Sequence, residues 1–426
     1  MFSSLKQLLP FSRSKKDILH IALAGHVDHG KSTLIGRLLI ETDSLAPDKR
    51  QELQKVSREF GPDTELAFLT DQLKEERQRN ITIDTAEIML KTPDRDYGLI
   101  DNPGHVEFIK NMLSGSSRAE AAILIVDVQE GLKDQTFRHT YLLKFLDIRN
   151  LIVVLNKMDV IDYDRKTYLE RGRQITSTLE KLGLEATHLI PVSARRGDNV
   201  TRPSKNLSWY KGPCLLKALR DLEPPTRLDS EKLRLPVQDI LARDGKNFIL
   251  GRIVSGTARQ NQKIRIFPGL HETCLAEIHV YPGQRTQAKP SENIAVILDP
   301  DIYIQRGAVI VDAGENVAAT GRLTGSVFWT SPQPLRQDAT LTLRCATQCV
   351  QARVSEIRQR IDPGRMEILA QAKNEVSENQ AGIIVFELLG PCLTESHTDS
   401  PDLGRFVLEL GNQMLGAGII LENHAQ

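Results

Sequence analysis

The residues whose types and spacing can do chemistry begin at Gly25-His26-Val27-Asp28-His29-Gly30-Lys31-Ser32-Thr33, a stretch with the make-up of a phosphate cradle. Gly25 and Gly30 let the backbone bend so that successive N–H groups converge on a β-phosphate. Lys31 can reach the β- and γ-phosphates as a point charge, and the Ser32 hydroxyl can coordinate Mg2+. The stretch follows the apolar run Ile18 to Ala24 and precedes the helix-like Leu34-Ile35-Gly36-Arg37-Leu38-Leu39. Strand, glycine-bounded loop and helix together are the context in which this pattern holds phosphate, because the helix N-terminus adds partial positive charge.

Three further clusters follow in order. Asn80-Ile81-Thr82-Ile83-Asp84 comes after the charged segment Asp71 to Arg77. Thr82 there is placed as the sensing residue of a nucleotide switch, closing through its hydroxyl and backbone on Mg2+ and the γ-phosphate. Asp101-Asn102-Pro103-Gly104-His105 follows the run Tyr97 to Ile100. Asp101 at a strand tip can hold Mg2+ through a water, and Gly104 lets a backbone N–H approach the γ-phosphate. His105 is then placed to orient the attacking water. The expected catalytic groups are therefore His105, Lys31 and Thr82, and the expected metal ligands are Ser32, Thr82 and Asp101.

The last cluster is Asn156-Lys157-Met158-Asp159, at the end of the run Leu151 to Leu155. The Asp159 carboxylate can accept both the N1–H and the exocyclic amine of guanine, a paired contact that adenine cannot make. At about 1.5 to 3 kcal/mol per bond to a charged group, the pair is enough to choose GTP over ATP by orders of magnitude. Ser193-Ala194, after Pro191-Val192, supplies the backbone amide expected at guanine O6. The cofactors implied are GTP or GDP and Mg2+.

Positioning these clusters requires a particular set of elements. Ile18 to Ala24, Tyr97 to Ile100, Ala121 to Val126, Leu151 to Leu155 and His188 to Val192 are short apolar runs separated by amphipathic helical stretches. Strands buried on both faces and alternating with helices form a doubly wound, mostly parallel sheet whose ligand site lies at the strand carboxyl ends. The motifs fall at those ends. After a linker rich in charge and proline, Glu223 to Leu233, helical periodicity vanishes. Leu235 to Leu241, Phe248 to Ser255, Lys263 to Phe267, Cys274 to Tyr281, Asn293 to Leu298 and Val309 to Val311 read as short strands of a small β-barrel. Gly325 to Trp329, Ala339 to Leu343, Val350 to Ile357, Ala381 to Leu388 and Gly404 to Leu410 repeat that pattern in a second barrel.

Composition bounds the rest. A chain of 426 residues is too long for one core, and its 55 basic and 55 acidic residues cancel. That balance speaks against a life on a nucleic-acid backbone, which usually brings a basic excess. The 5 cysteines are scattered with no CxxC pair, so neither a disulfide framework nor a zinc site is indicated, and a reducing cytoplasm fits. No apolar run approaches the roughly 18 residues that would span a bilayer. Residues 1–16 carry no acidic side chain and mix Phe and Leu with Lys and Arg. They read as a mobile tail, with a transit peptide or a membrane-surface helix as the alternatives.

GHVDHGKST, NITID, DNPGH, NKMD and SAR in this order resemble the translation-factor class of GTPases, the group containing elongation factor Tu. The resemblance covers nearly the whole chain. It implies an α/β P-loop GTPase domain over 17–222, a linker over 223–233, and two all-β barrel domains over 234–321 and 322–426. It also implies nucleotide contacts from every residue of the run Gly25 to Thr33 and from Asp101, Gly104, Asn156, Lys157, Asp159, Ser193 and Ala194. Within the class, Glu65 to Asp71 and Trp209-Tyr210-Lys211-Gly212-Pro213 resemble the branch shared by archaeal and eukaryotic elongation factors and by the GTPase subunits of two-subunit sulfate adenylyltransferases. Ser326 to Leu335 and Met414 to Ile420 are more similar to the latter. That branch implies a partnership, in a heterodimer or larger assembly, with a small catalytic adenylyltransferase subunit that makes adenosine 5′-phosphosulfate, and no nucleic-acid partner. The alternatives are an elongation-factor-like carrier of aminoacyl-tRNA or another RNA, and a specialised paralogue paired with a different sulfation system. Three positions depart from the pattern: His29 stands where the sulfate enzymes often carry a second Asp, Asn102 where Thr or Ala is usual, and Asn80 where Gly is usual.

Overall fold

Alternation of apolar strands with helices gives the first sheet of the computed structural model, which describes residues 18–45, 86–102, 119–223, 232–369, 374–411 and 413–425. The elements in chain order are β1 (Ile18–Ala24), α1 (Lys31–Glu41), β2 (Ala86–Lys91), β3 (Asp96–Asp101), β4 (Ala121–Asp127), α2 (Asp134–Phe145), β5 (Asn150–Asn156), α3 (Arg165–Lys181), β6 (Ala186–Pro191) and α4 (Leu215–Asp221). The sheet runs β2-β3-β1-β4-β5-β6. Its five inner pairings set Ile21 beside Leu99 and Ala121, Leu124 beside Val153, and Val154 beside Ile190, all parallel except that of β2 with β3. Every residue of β4 is buried, as a central strand covered on both faces requires. The antiparallel edge strand β2 was not among the expected runs, because Ala86-Glu87-Ile88-Met89-Leu90-Lys91 buries only Leu90 and so reads as a half-polar segment.

Helix α1 turns Leu34, Ile35, Leu38 and Leu39 into the core, where they meet Leu23, Ile123 and Val192. It starts immediately after Gly30, whose left-handed φ of 89° reverses the chain from β1 into the helix. Helix α3 is capped by Asp164, which accepts from the Thr167 N–H at 2.7 Å.

The chain divides into two compact units between Pro225 and Thr226. The second unit holds two closed antiparallel barrels of six strands. In the first, Lys263–Phe267, Val309–Asp312, Leu235–Arg243, Lys246–Arg252, Asn293–Asp299 and His271–Val280 pair in that order, and the last returns to the first. The second closes in the same way through Thr340–Cys345, Arg405–Leu410, Gln413–Ala425, Thr320–Trp329, Ala381–Leu388 and Gln348–Asp362. Closure leaves these strands no open edge. One buried side chain joins the barrels: Arg234 donates to both Glu315 oxygens at 2.6 and 2.7 Å and to Glu395 at 2.7 Å. Phe267, Val309, Val311 and Leu393 pack around the same junction.

Candidate functional site

The site is assembled at the carboxyl ends of β1, β3, β4, β5 and β6. Beyond β1 the loop Gly25 to Gly30 closes on itself through the His29 N–H, which donates to the His26 carbonyl, and Asp28 takes a left-handed φ of 63°. A side chain at Gly25 would run into the Ile125 carbonyl of β4, and one at Gly30 into the Asn156 amide. The glycines thus serve close approach as much as turning.

Lys31 opens α1 and bends its ammonium back into the loop, donating to the carbonyls of Gly25 at 2.9 Å and His26 at 3.1 Å. Burial lowers its pKa to about 8, against the opposing pull of Asp101 and Asp28. A cation held in so dry a place attracts a polyphosphate strongly, since few solvent dipoles compete. Asp101 ends β3 beside Leu23 and is 1% exposed, with its negative charge felt at Lys31. A buried carboxylate and the Ser32 hydroxyl at the rim of a phosphate cradle are hard oxygen donors, so the residues present fit Mg2+. Thr82, Gly104 and His105, with the unusual Asn80, lie outside the described residues.

Asn102, the departure in the third motif, has a defined place. Its buried amide Nδ2 donates to the Leu23 carbonyl at 3.0 Å, tying the end of β3 to β1 just before the phosphate loop. A Thr or Ala there could not span that gap with a planar amide.

The fourth cluster joins the first. Asn156 donates from Nδ2 to the His29 carbonyl at 2.9 Å and accepts at Oδ1 from the Ala194 N–H at 3.0 Å. One amide therefore links the phosphate loop to the loop after β6. Asp159 accepts from the Ser193 hydroxyl at 2.7 Å, and Arg196 lies 3.8 Å from its other oxygen. Lys157, at a left-handed φ of 64°, reaches Asp127 at 2.8 Å. Burial opposes ionisation of Asp127, but hydrogen bonds from Lys157 and from the N–H groups of Gln129 and Glu130 outweigh it and hold the carboxyl below its ordinary range. The arrangement presents Asp159 at one end and the Lys31 ammonium at the other, a pattern able to grip a base and a phosphate chain together, while the Ala194 N–H, expected at guanine O6, is instead taken up by Asn156 Oδ1.

Two groups were missed by sequence reasoning. His139 on α2 accepts the Gly25 N–H at Nδ1 at 3.1 Å, and burial, aided by the charge of Lys31, lowers its pKa to about 3. A single histidine in an amphipathic helix, more than a hundred residues from its partner, gives no sequence signal. Asp127 could have been found, as an Asp ending an apolar run. His29, which was expected at the nucleotide, turns its ring under the loop, with Nδ1 3.3 Å from the Ile125 carbonyl, and burial lowers its pKa to about 4.

Comparison with known proteins agrees with this layout. Residues 16–225 match the family model of the elongation factor Tu GTP binding domain, and residues 322–421 match the GTP-eEF1A C-terminal domain-like model. Sulfate adenylyltransferase subunit 1 of Aeromonas hydrophila is 32% identical over 421 residues, 97% of this chain and 88% of that protein. The protein of the same name from Yersinia enterocolitica is 33% identical over 419 residues, covering 96% and 87%. Elongation factor 1-alpha of Archaeoglobus fulgidus is 35% identical over 419 residues, covering 96% and 98%.

Proposed function

The chain belongs to the elongation factor Tu family of GTPases, and from that footing we propose that it is the GTPase subunit of a two-subunit sulfate adenylyltransferase. The observation that supports the nucleotide reading is the meeting of Asn156, His29 and Ala194, which ties the loop after β1 to the loops after β5 and β6. In this reading Asp159 accepts from the guanine N1–H and exocyclic amine, and Lys31 with the loop N–H groups holds the β- and γ-phosphates.

Hydrolysis forms a bond from a water oxygen to the γ-phosphorus and breaks the bond to the β–γ bridging oxygen. GDP and inorganic phosphate leave. Ser32, Thr82 and Asp101 would hold Mg2+, which when bound would supply charge neutralisation at the phosphate oxygens. Lys31 holds the chain in line and offsets the charge that develops on the departing oxygen. His105 orients the water, and His105→Ala should slow single-turnover hydrolysis about a hundredfold while GTP affinity stays near that of the parent.

Two relatives named as sulfate adenylyltransferase subunits support the finer role, together with the likeness of the Ser326 to Leu335 segment. The ATP and sulfate sites then belong to a small partner subunit. Forming the reactive mixed anhydride of adenosine 5′-phosphosulfate is uphill, and GTP hydrolysis pulls it forward. A second reading, a carrier of aminoacyl-tRNA or another RNA, is favoured by the equal likeness to elongation factor 1-alpha. Both readings place the chain in the cytoplasm, and among the described residues no helix is long and apolar enough to cross a membrane.

The deciding experiment follows GTP hydrolysis by the chain alone and with a small adenylyltransferase subunit, ATP and sulfate. Stimulated hydrolysis in step with adenosine 5′-phosphosulfate is expected. Unstimulated hydrolysis, with RNA copurifying and released by salt, would replace the first reading with the second.

A further inference from the structure

The geometry points to Tyr163 as a positioning residue for guanine recognition, locking the Asp159 loop to the Ser193-Ala194 loop so that both meet the base as one unit. The inference rests on the reading of Asp159 as the guanine acceptor, and it assigns a role to residues outside the nucleotide motifs.

A closed ring of contacts carries it. Asp159 lies within a short 3-10 turn, Met158–Ile161, and the Met158 carbonyl accepts the Tyr163 N–H at 2.9 Å. The Tyr163 hydroxyl donates to Asp198 Oδ2 at 2.6 Å. Asp198 pairs with Ser193 through both backbone groups, at 3.2 and 3.1 Å. The Ser193 hydroxyl returns to Asp159 Oδ1 at 2.7 Å, which closes the ring. Asp198 is itself fixed by donors from Ser204 and from Asn206 at 3.3 Å.

Backbone conformation says why such a ring is needed. Lys157, Asp162 and Tyr163 take left-handed φ values of 64°, 49° and 59° within seven residues. That region is unfavourable for side chains with a Cβ, and most of all for a bulky one. Such a run persists only where surrounding contacts over-determine it, and it is found where a loop must present a ligand group in one orientation. The contacts here are specific. Trp209 Nε1 donates to the Tyr163 carbonyl at 3.0 Å, fixing the strained residue from the other side. The indole packs on Tyr168 with ring centroids 5.0 Å apart, and the Tyr168 hydroxyl donates to the Leu189 carbonyl of β6 at 2.8 Å. The Trp209-Tyr210 segment is thus an aromatic buttress, anchored in the sheet, that holds Tyr163 against Asp198.

Guanine and hypoxanthine differ by the exocyclic amine that Asp159 accepts, so the ratio of GDP to IDP affinity reports where the carboxylate stands. A loss of general stability lowers both affinities and leaves their ratio unchanged. The test measures GDP, IDP and ADP dissociation constants by titration calorimetry on the full chain, the Tyr163→Phe and Asp198→Ala variants, and their double. Tyr163→Phe should weaken GDP about tenfold, the scale of one hydrogen bond to a charged group, and IDP less than threefold. The double variant should be no worse than Asp198→Ala, because both break one ring. A melting temperature near the parent's would confirm that Tyr163→Phe is folded. Equal losses for GDP and IDP, or no loss, would overturn the positioning role while a parent preference for GDP over ADP left the reading of Asp159 standing. A parent that binds ADP as well as GDP would overturn both.

Discussion

At the scale of single residues, groups inside short motifs can be named from the sequence, and partners that only folding brings to them cannot. Lys31, Asp159 and Ser193 sit in short motifs whose spacing has a chemical reason. Asp159→Ala should weaken GDP by at least about a hundredfold, since two bonds to a charged group of about 1.5 to 3 kcal/mol each are lost, and calorimetric titration against the parent checks it. His139 is the opposite case. Its role depends on the distance between a helix and a loop that only folding brings together. Folded His139 takes up a proton only near pH 3 against an ordinary value of 6.5, so between those values the unfolded chain binds more protons. Stability therefore falls as pH drops through that window, by about 2 kcal/mol from this residue between pH 7 and pH 5. Urea unfolding at the two pH values should show the loss in the parent, and His139→Gln, less stable at pH 7, should lose less on acidification.

At the scale of elements, periodicity found most of the sheet and both barrels, but missed the whole of strands β2 and Gln413–Ala425, and misplaced some ends. Lys263–Phe267 and Ala381–Leu388 match their apolar runs, because both are bounded by turn residues. Gln348–Asp362 extends well past the expected Ile357, since Arg358-Gln359-Arg360-Ile361-Asp362 are nearly all polar or charged and none is fully buried. What no pattern announced is the way the barrels are fastened. Arg234 reads as one more charge just past a charged linker, yet it is 2% exposed and gripped by carboxylates from both barrels. The bonds it donates to Glu315 and the charge of Glu395 outweigh burial and hold the guanidinium above its ordinary value, while Glu315 is held below its own. Removing one partner of such a buried group strands the other charges, at about 3 to 5 kcal/mol. Arg234→Ala should lower the unfolding free energy of the barrels by that measure, read as a lower urea midpoint, with GDP affinity unchanged. An unchanged midpoint would mean that the apolar packing of Phe267, Val309, Val311 and Leu393 fastens the barrels unaided.

At the scale of the whole molecule, the nucleotide site draws all its described groups from the first unit, while the second unit keeps two cores of its own. A ligand that binds only the folded form stabilises what it binds by mass action, by about 4 kcal/mol at a thousand times its dissociation constant. Differential scanning calorimetry of the full chain should therefore resolve two transitions, of which saturating GDP raises one. For a unit near 200 residues that shift is about 8 to 16 °C. Lys31→Ala should abolish the shift without moving the other transition, since among the described residues its ammonium donates to carbonyls of the first unit, those of Gly25 and His26. A single transition that rises as a whole with GDP would instead make the chain one cooperative body. In that case the state of the phosphate loop would be felt directly by the barrels, which is the property a GTPase needs if it is to drive a partner.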